Sequence, residues 1–387
     1  MSVEPLASPY GNLLDASASE DHRRRFDIPA PLTVGVEDEV LVLDPDSLAL
    51  AATGPALVAA LEDPAIRHEI VPTQLELASP VCDTAAAVGA ALGKARRRLV
   101  DATEGSARYA GAGTHPQAPA TGPANPAGRY APVVAEFGWA VARAQVAGLH
   151  VHVCLRGADR VLRVHDALRS YLPDLAALAG NAPFLAGEDT GLASVRPKLA
   201  EGYPRQGIPP ALGSWEQYAA LLAWGARSGV VPDGRSLWWE LRPHPVFATL
   251  EVRVPDAQPT VAAAAAIAAV VRALVADLAA AVDDGEPPVV HDTVRIDENR
   301  WRALRHGLGG SLLDLDTGDE EPTRARLGRL LERLAPIAGA QGDAGAFACA
   351  EQLLRQSGAE RQRAVAARSG LDAVIEDLTG RFLEGCP

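Results

Sequence analysis

The chain has little positive charge. Its 387 residues include 36 lysine and arginine residues against 49 aspartate and glutamate residues, which leaves a formal net charge of −13. A duplex phosphate backbone and an anionic membrane surface both require a basic protein surface, so we expect neither a nucleic-acid partner nor a membrane partner. Apolar residues make up 48% of the chain, which is enough for a folded core and argues against a disordered protein.

Long hydrophobic runs are also missing. The longest, residues 261–271, is followed by Arg272 and Asp277, and it falls short of the roughly 18 residues of a membrane-spanning candidate. The first thirty residues are polar and lack the apolar region of a secretory signal. We therefore expect a cytoplasmic protein with a polar N-terminal lead-in over residues 1–30 and a single domain over residues 31–387.

Several catalytic signatures are absent. The sequence contains no GxxxxGK[ST] phosphate loop, no GxSxG or HExxH motif, and no GxGxxG after a predicted strand. Its four cysteines form no CxxC pair and none lies in a recognisable nucleophile motif. Any nucleotide must therefore be held by metal ions and arginines, and covalent catalysis has no candidate residue.

Four segments alternate polar and apolar residues with period two, which is typical of strands with one apolar face. They are GVEDEVLVLD at 35–44, TQLELAS at 73–79, GLHVHVCL at 148–155 and TLEVRV at 249–254. Their polar faces carry Glu37, Glu39, Glu76, His150, His152, Glu251 and Arg253. A half-exposed antiparallel sheet would alternate in this way too, but a solvated face usually carries a mixture of other polar residues.

The polar faces predict a metal site if the strands are neighbours. Repulsion among Glu37, Glu39, Glu69, Glu76 and Glu251 would then require divalent cations, and oxygen ligands suit Mg²⁺ or Mn²⁺. His150 would complete the metal shell, whereas His152 fits either a second ligand or a substrate contact. Two imidazoles with one glutamate also occur in cupin-like zinc and iron sites, so a hydrolase or oxygenase of that kind stays open.

Other segments predict helices and loops. Apolar residues recur at intervals of three and four over 267–278 and 327–334. We expect Pro259 at the first position of a largely buried helix, and Pro336 at the end of the second. The Gly- and Pro-rich segment 110–132 predicts a loop. In the segment 172–196, Asp189, Thr190, Ser194 and Arg196 offer groups that a carboxylate or phosphate would need, although a capped turn between helices explains them as well.

Seven ordered motifs resemble those of the glutamate–cysteine ligase type 2 family, the carboxylate–amine ligases. They are GVEDEV at 35–40, ELAS at 76–79, GTHP at 113–116, GLHVHV at 148–153, LPDLAALAGNAPFLAGEDTGLASVR at 172–196, LWWELRPHPVFATLEVRVPDAQ at 237–258 and ENRWRALRHGL at 298–308. The resemblance runs from about residue 33 to residue 380. It implies a catalytic domain of the α+β class with a glutamine-synthetase-like fold, in which a curved antiparallel β-sheet cradle has helices packed behind it.

The resemblance also implies ATP-dependent amide formation through an acyl phosphate, with a small-molecule carboxylic acid and an amine as substrates. Glutamate and cysteine, giving γ-glutamylcysteine, are the first expectation, and another acid and amine pair or a non-catalytic ligand-binding relative are the alternatives. The positions that match the family's Mg²⁺ or Mn²⁺ ligands are Glu37, Glu39, Glu76, His150 and Glu251, with Glu69 as a looser match. Arg253 and Arg196 match arginines near the transferred phosphate or carboxylate, and we expect them, with His152, to contact ATP.

Two further expectations concern the family pattern. Asp38 replaces a commoner glutamate between the first two acids, and its parity predicts that it points to the opposite face. The resemblance suggests a homodimer, and we expect the apolar segment 261–282 to offer surface for it.

Overall fold

The computed structural model describes residues 16–125, 128–231, 234–286 and 289–385. Its helices are α1 (Ala16–Asp27), α2 (Gly54–Leu61), α3 (Ala85–Thr103), α4 (Ala131–Arg143), α5 (Ala158–Leu168), α6 (Leu172–Ala179), α7 (Arg196–Ala200), α8 (Trp215–Ser228), α9 (Val261–Asp283), α10 (Thr293–His306), α11 (Thr323–Ala340), α12 (Ala344–Arg355) and α13 (Gly358–Gly380). Its strands are β1 (Val34–Leu43), β2 (Ile66–His68), β3 (Gln74–Ala78), β4 (Arg108–Ala110), β5 (Leu149–Val153), β6 (Phe184–Leu185), β7 (Glu188–Asp189), β8 (Leu241–His244), β9 (Thr249–Val252), β10 (Ser311–Leu313) and β11 (Glu320–Pro322).

Seven strands form one sheet in the order β2-β3-β1-β5-β9-β8, and β4 pairs with β1. Every pairing in this sheet is antiparallel. The four segments with period-two alternation all form strands here, and they are the four adjacent strands β3, β1, β5 and β9. The predicted α+β class, with an antiparallel sheet and helices packed on it, is confirmed.

The apolar faces of these strands pack against α3 and α9. Val40 of β1 and Val151 of β5 belong to the same buried cluster as Leu92 of α3 and Ile267 of α9. Burying a valine or leucine side chain contributes roughly 1.5–3 kcal/mol each, so the alternation dictates which face the helices cover. The polar faces are left on the other side of the sheet.

Asp38 lies on the helix-covered face, as its parity predicted. Its carboxylate forms an ion pair of 2.7 Å with Arg96 of α3, and both side chains are fully buried. Arg96 also donates to the carbonyl oxygens of Gln258 and Phe382, which satisfies the guanidinium in the interior. Burial raises the pKa of Asp38, and the charge of Arg96 opposes that shift. Asp38 therefore joins the sheet to the helix layer and lies away from the polar face.

Helix α9 is a core helix. It is long and apolar enough to cross a membrane by length and composition, but 83% of its most apolar 18-residue window is buried inside the protein. It begins at Val261, with the side chain of Thr260 accepting the Ala263 N–H as the cap, so placing Pro259 at the first helical position was wrong. The expectation that this helix has surface to spare was wrong too, because most of its residues are buried.

The structure also bears on Pro336, on the Gly- and Pro-rich segment and on the N-terminal lead-in. Helix α11 continues through Pro336 to Ala340, so this proline does not end the helix. In segment 110–132, residues 111–125 are irregular, and a short 3₁₀ turn at Gly128–Tyr130 precedes α4, which begins at Ala131. Within the lead-in, α1 carries Phe26, which is buried and lies edge-on to Trp215 of α8 at 5.8 Å between ring centroids.

Candidate active site

Acidic and imidazole side chains of four strands lie on the sheet face turned away from α3 and α9. The strand register pairs Glu37 with His150, Glu39 with Glu76, and His152 with Glu251. Directly paired residues of antiparallel strands have their side chains on the same face, about 4.5–5.5 Å apart at Cβ. Adjacent strands thus bring together acids and imidazoles from positions between 37 and 251 of the sequence.

Glu37 is at the centre of this group. One oxygen of its carboxylate, Oε2, lies 3.3 Å from His150 Nδ1 and 3.6 Å from His152 Nε2. The other ring nitrogen of His150 lies 3.8 Å from Glu39, and Glu39 accepts a hydrogen bond of 2.5 Å from the Gly148 N–H. Strand β1 therefore aims two carboxylates at the imidazoles of β5.

Two arginines bind Glu251. Arg242 of β8 donates to both carboxylate oxygens, at 2.5 and 3.2 Å. Arg253, one residue beyond the end of β9, donates to the same carboxylate and also lies 3.3 Å from His150 Nδ1. The guanidinium of Arg253 therefore sits between an acid and an imidazole of the group, where sequence parity put it.

The guanidinium of Arg196 forms hydrogen bonds to Asp256 and to backbone carbonyl oxygens. Its Nε donates to Asp256 at 2.7 Å, and its Nη2 donates to the carbonyl oxygens of Val254 and Pro255. These bonds fix the segment that follows Arg253. The remaining terminal nitrogen, Nη1, faces Gly148, where an added Cβ would lie 3.1 Å from it. Arg196 thus borders the polar face, and its contact with a phosphate stays a prediction.

Glu76 and Glu69 lie at the β3 side of the group. Arg67 of β2 donates to Glu76 at 3.2 Å. Burial raises the pKa of Glu76 well above its usual range, and the nearby charges of Glu37 and Glu69 raise it further. Glu69, just after β2, is therefore close to the cluster, as the looser family match implied.

The protonation of the other groups follows from their neighbours. Burial acts to raise the pKa of Glu37, but the imidazoles of His150 and His152 hold that pKa well below its usual range. The pKa of Glu251 is also held well below its usual range, because the charges of Arg242 and Arg253 outweigh burial. Burial and the charge of Arg253 lower the pKa of His150 to about 4. At neutral pH Glu37 and Glu251 are therefore ionised and His150 is neutral.

Three of these residues fit a divalent metal ion. Ligand atoms of Glu37, His152 and Glu251 all lie within 4.8 Å of one another. His152 is oriented by Thr249, whose hydroxyl lies 2.9 Å from Nδ1, and its Nε2 is buried without a hydrogen bond in the described part of the chain. Anchoring one imidazole nitrogen and leaving the other to the metal is the usual arrangement of a histidine ligand. Of the two roles left open for His152, the geometry favours the metal ligand.

Sequence reasoning missed Arg242 and Asp256, which hold Glu251 and Arg196 in place. Arg242 lies in a period-two pattern with Glu240 and His244, but Pro243 within the same four-residue strand weakens that signal. Asp256 lies outside the regular strands, so no periodicity indicates it. Both residues sit inside the motif at 237–258 that carries the family resemblance.

The fold is shared with ligases of known structure. A glutamate–cysteine ligase from Francisella tularensis, in complex with AMP, matches with a TM-score of 0.68 over 92% of this chain and 89% of that chain, at 15% identity. A bifunctional glutathione synthetase from Pasteurella multocida matches with a TM-score of 0.65 over 91% of this chain and 52% of that chain, at 14% identity. Likeness at these identities shows the fold alone.

Relatives found by sequence are more similar to this chain than these two structures are. The family model described as glutamate–cysteine ligase family 2 matches residues 33–380. A candidate glutamate–cysteine ligase 2-3 of Rubrobacter xylanophilus is 37% identical over 362 residues, covering 92% of this chain and 98% of the relative. A glutamate–cysteine ligase of Natronomonas pharaonis is 33% identical, covering 90% of this chain and 95% of the relative. The chain belongs to glutamate–cysteine ligase family 2, and it is an ATP-dependent carboxylate–amine ligase.

Proposed function

We propose that this ligase joins the side-chain carboxylate of glutamate to the amino group of cysteine and converts ATP to ADP and phosphate. The names of its relatives support this substrate pair. The observation that carries the proposal is the convergence of Glu37, His152 and Glu251 beside Arg253 on one face of the sheet. Such a face suits the transfer of a phosphoryl group, which depends on positioning and charge neutralisation more than on a protein nucleophile.

The reaction needs activation of the acid, because hydroxide is a poor leaving group in amide formation. The carboxylate first takes the γ-phosphoryl group of ATP, and the amine then attacks the acyl carbon and releases phosphate. Mg²⁺ or Mn²⁺ held by Glu37, His152 and Glu251 would supply charge neutralisation at the phosphates. The further candidate ligands are Glu39, Glu69, Glu76 and His150.

Arg253 and Arg196 contribute to neutralising the negative charge of the phosphates. Arg253 directs a guanidinium into the group and is positioned to orient the transferred phosphoryl group, with its own place set by Glu251. Arg196 holds residues 254–255 by their carbonyl oxygens, which keeps Arg253 at the edge of the metal ligands. Preorganised donors of this kind stabilise developing charge without reorganising during the reaction.

An isotope experiment tests the reaction. Glutamate labelled with ¹⁸O in its side-chain carboxylate, supplied with MgATP and cysteine, should give ADP and labelled inorganic phosphate. Release of AMP and pyrophosphate, with label in AMP, would contradict the acyl phosphate. If glutamate fails, a screen of other acids and amines for ADP release tests the substrate pair separately from the reaction class.

The alternatives have their own tests. Tightly held zinc or iron in protein purified without added ions would support a hydrolase or oxygenase built on His150 and His152. ATP binding without ADP release in any substrate screen would favour a non-catalytic relative. Family membership and the number of carboxylates on the polar face both favour the ligase.

We further propose that the protein is a cytoplasmic homodimer without a nucleic-acid or membrane partner. The net charge of −13 supports the absence of anionic partners. Outer helices expose large apolar side chains, with Trp139 of α4 at 69%, Trp224 of α8 at 53% and Val294 of α10 at 81% exposure. Sedimentation at micromolar concentration should show a dimer, and a monomer alone would count against it.

A further inference from the structure

Arg300 of α10 is a buried cation outside the group already described. Its side chain is 2% exposed, and it lies in the motif at 298–308. Its Nε donates to Glu240 at 2.8 Å, and its Nη1 donates to Glu201 at 2.6 Å. A buried charge is normally paired. Here one guanidinium binds acids on two other segments, and exposed Asp297 of its own helix lies 3.5 Å from it.

Glu240 stands next to the catalytic arginine. The backbone N–H of Arg253 donates to the backbone carbonyl oxygen of Glu240 at 2.7 Å. The register of β8 and β9 pairs Leu241 with Val252. Continued by one residue, this register puts Glu240 directly opposite Arg253, so both side chains start on the same face of the sheet. Nevertheless, the Arg253 guanidinium binds Glu251 and approaches His150.

The two acids beside Arg253 differ in what else holds them. Glu251 has the two hydrogen bonds of Arg242 in addition to that of Arg253. Glu240 is 6% exposed, its Oε1 is held by Arg300, and its Oε2 has no hydrogen bond in the described part of the chain. If Arg300 were lost, Glu240 would be a buried charge without compensation and Arg253 would be the cation directly across from it. Glu251 would remain paired after losing Arg253.

We propose that Arg300 is a positioning residue that neutralises Glu240 and thereby keeps Arg253 directed at the catalytic group. The kinetic consequence rests on the proposed function, whereas the direction of the Arg253 side chain does not. The second partner, Glu201, is different because it is 35% exposed and also binds Lys198 at 2.9 Å. Loss of Arg300 therefore leaves Glu201 with solvent and Lys198. Glu240 stays buried, and among the described residues no cation other than Arg300 forms an ion pair with it.

A set of variants separates this role from simple structural support. Arg300→Met should lower kcat for ADP release on the order of 100-fold, the effect of a misplaced catalytic group, with a smaller change in KM. Adding Glu240→Gln to Arg300→Met removes the competing charge and should restore kcat at least tenfold. Adding Glu201→Gln instead is the matched control and should restore nothing. Equal recovery by both second substitutions, or none by Glu240→Gln, would overturn the proposal.

A conservative variant covers the case in which Arg300→Met does not fold. Arg300→Lys keeps a cation beside Glu240 and should retain kcat within about tenfold of the original protein, since charge neutralisation is the proposed role. A loss as large as 100-fold in folded Arg300→Lys would show that charge is not what matters there.

A readout without turnover separates this proposal from the proposed function. Crystal structures of Arg300→Met and of its double variant with Glu240→Gln should show the Arg253 guanidinium at hydrogen-bond distance from Glu240 in the first and on Glu251 in the second. If the original protein ligates no substrate pair but Arg253 moves in this way, the proposed function fails and the positioning role stands. If the protein is an active ligase and Arg253 stays on Glu251 in Arg300→Met, the positioning role fails.

Discussion

At the scale of single residues, Glu37 links the imidazoles of β5 with the acids of the polar face. Its carboxylate lies within 3.6 Å of both His150 and His152, and these imidazoles hold its pKa well below the usual range although burial opposes them. A carboxylate that stays ionised beside two imidazoles and a second acid is suited to a divalent cation.

We expect Glu37→Gln to lower kcat for ADP release on the order of 100-fold or more, because an amide lacks the charge that holds a divalent cation. Thermal unfolding should show a folded protein. The matched control is Glu332→Gln, an exposed position on α11, which should leave kcat unchanged. Turnover of Glu37→Gln near the original rate would remove Glu37 from the metal site.

The raised pKa of Glu76 predicts how the stability of the metal-free protein depends on pH. Burial and the charges of Glu37 and Glu69 raise this pKa in the folded state well above the usual range. At a pH between the pKa of the unfolded state and that of the folded state, the folded state holds a proton that the unfolded state has released. The free energy of unfolding therefore falls as pH rises through this window. Each unit of pKa difference corresponds to about 1.4 kcal/mol.

Glu76→Gln removes this loss, and we expect the variant to be more stable than the original protein above the window, in EDTA, by about 1 kcal/mol or more. Below the window the difference should shrink. Urea unfolding at several pH values measures it. A variant that is less stable than the original protein at every pH would show that the charge of Glu76 is compensated in the metal-free state.

At the scale of elements, the helices show where local rules and packing disagree. Helix α11 contains Pro336, yet it continues to Ala340 while Leu327, Leu331 and Leu334 pack into the core. Proline removes one hydrogen bond from a helix interior, but it ends a helix only when nothing else holds the turns on either side together. Here the buried face spans the proline.

Pro336→Ala should therefore stabilise the protein. Proline in a helix interior costs about 3 kcal/mol relative to alanine, and proline recovers up to about 1 kcal/mol by restricting the unfolded chain. Because Pro336 is exposed, little packing is lost, and we expect a net gain of about 1–2 kcal/mol in the free energy of unfolding. Unfolding in urea tests this, and destabilisation would mean that the proline ring makes a contact the helix needs.

At the scale of the whole molecule, the acids of the polar face repel one another, and a bound cation would offset that repulsion. The chain carries a net charge of −13, and Glu37, Glu39, Glu76 and Glu251 share one face of one sheet. A ligand that binds only the folded state stabilises it by mass action, by about 2.7 kcal/mol at a hundred times its Kd.

We expect Mg²⁺ or Mn²⁺, added with ATP to EDTA-treated protein, to raise the Tm. The same ions with ATP should raise the Tm of Glu37→Gln much less. Sodium chloride at equal ionic strength is the control for screening. A Tm that rises equally in the original protein and in the variant would mean that the ions bind elsewhere.

The sequence by itself determined the four strands β1, β3, β5 and β9, their two faces and the residue types on each face. These follow from the period-two alternation of side chains along a strand, which is a local property of the backbone. The seven motifs added the family, and with it the ligase class that the comparisons confirm. Asp38 shows how far this reasoning reaches, since parity alone predicted that it points away from Glu37 and Glu39.

Only the tertiary structure decided which strands are neighbours and which side chains meet. The order β3-β1-β5-β9 pairs Glu37 with His150 and His152 with Glu251, and strand pairing is a non-local choice that periodicity does not contain. The grouping of His152 with Glu37 and Glu251 depends on that order. The hold of Arg242 on Glu251 depends on the pairing of β8 with β9, and the burial of Arg300 against Glu240 depends on the packing of α10. A side chain's partners are set by packing between distant segments, because local sequence specifies only the direction in which the side chain points.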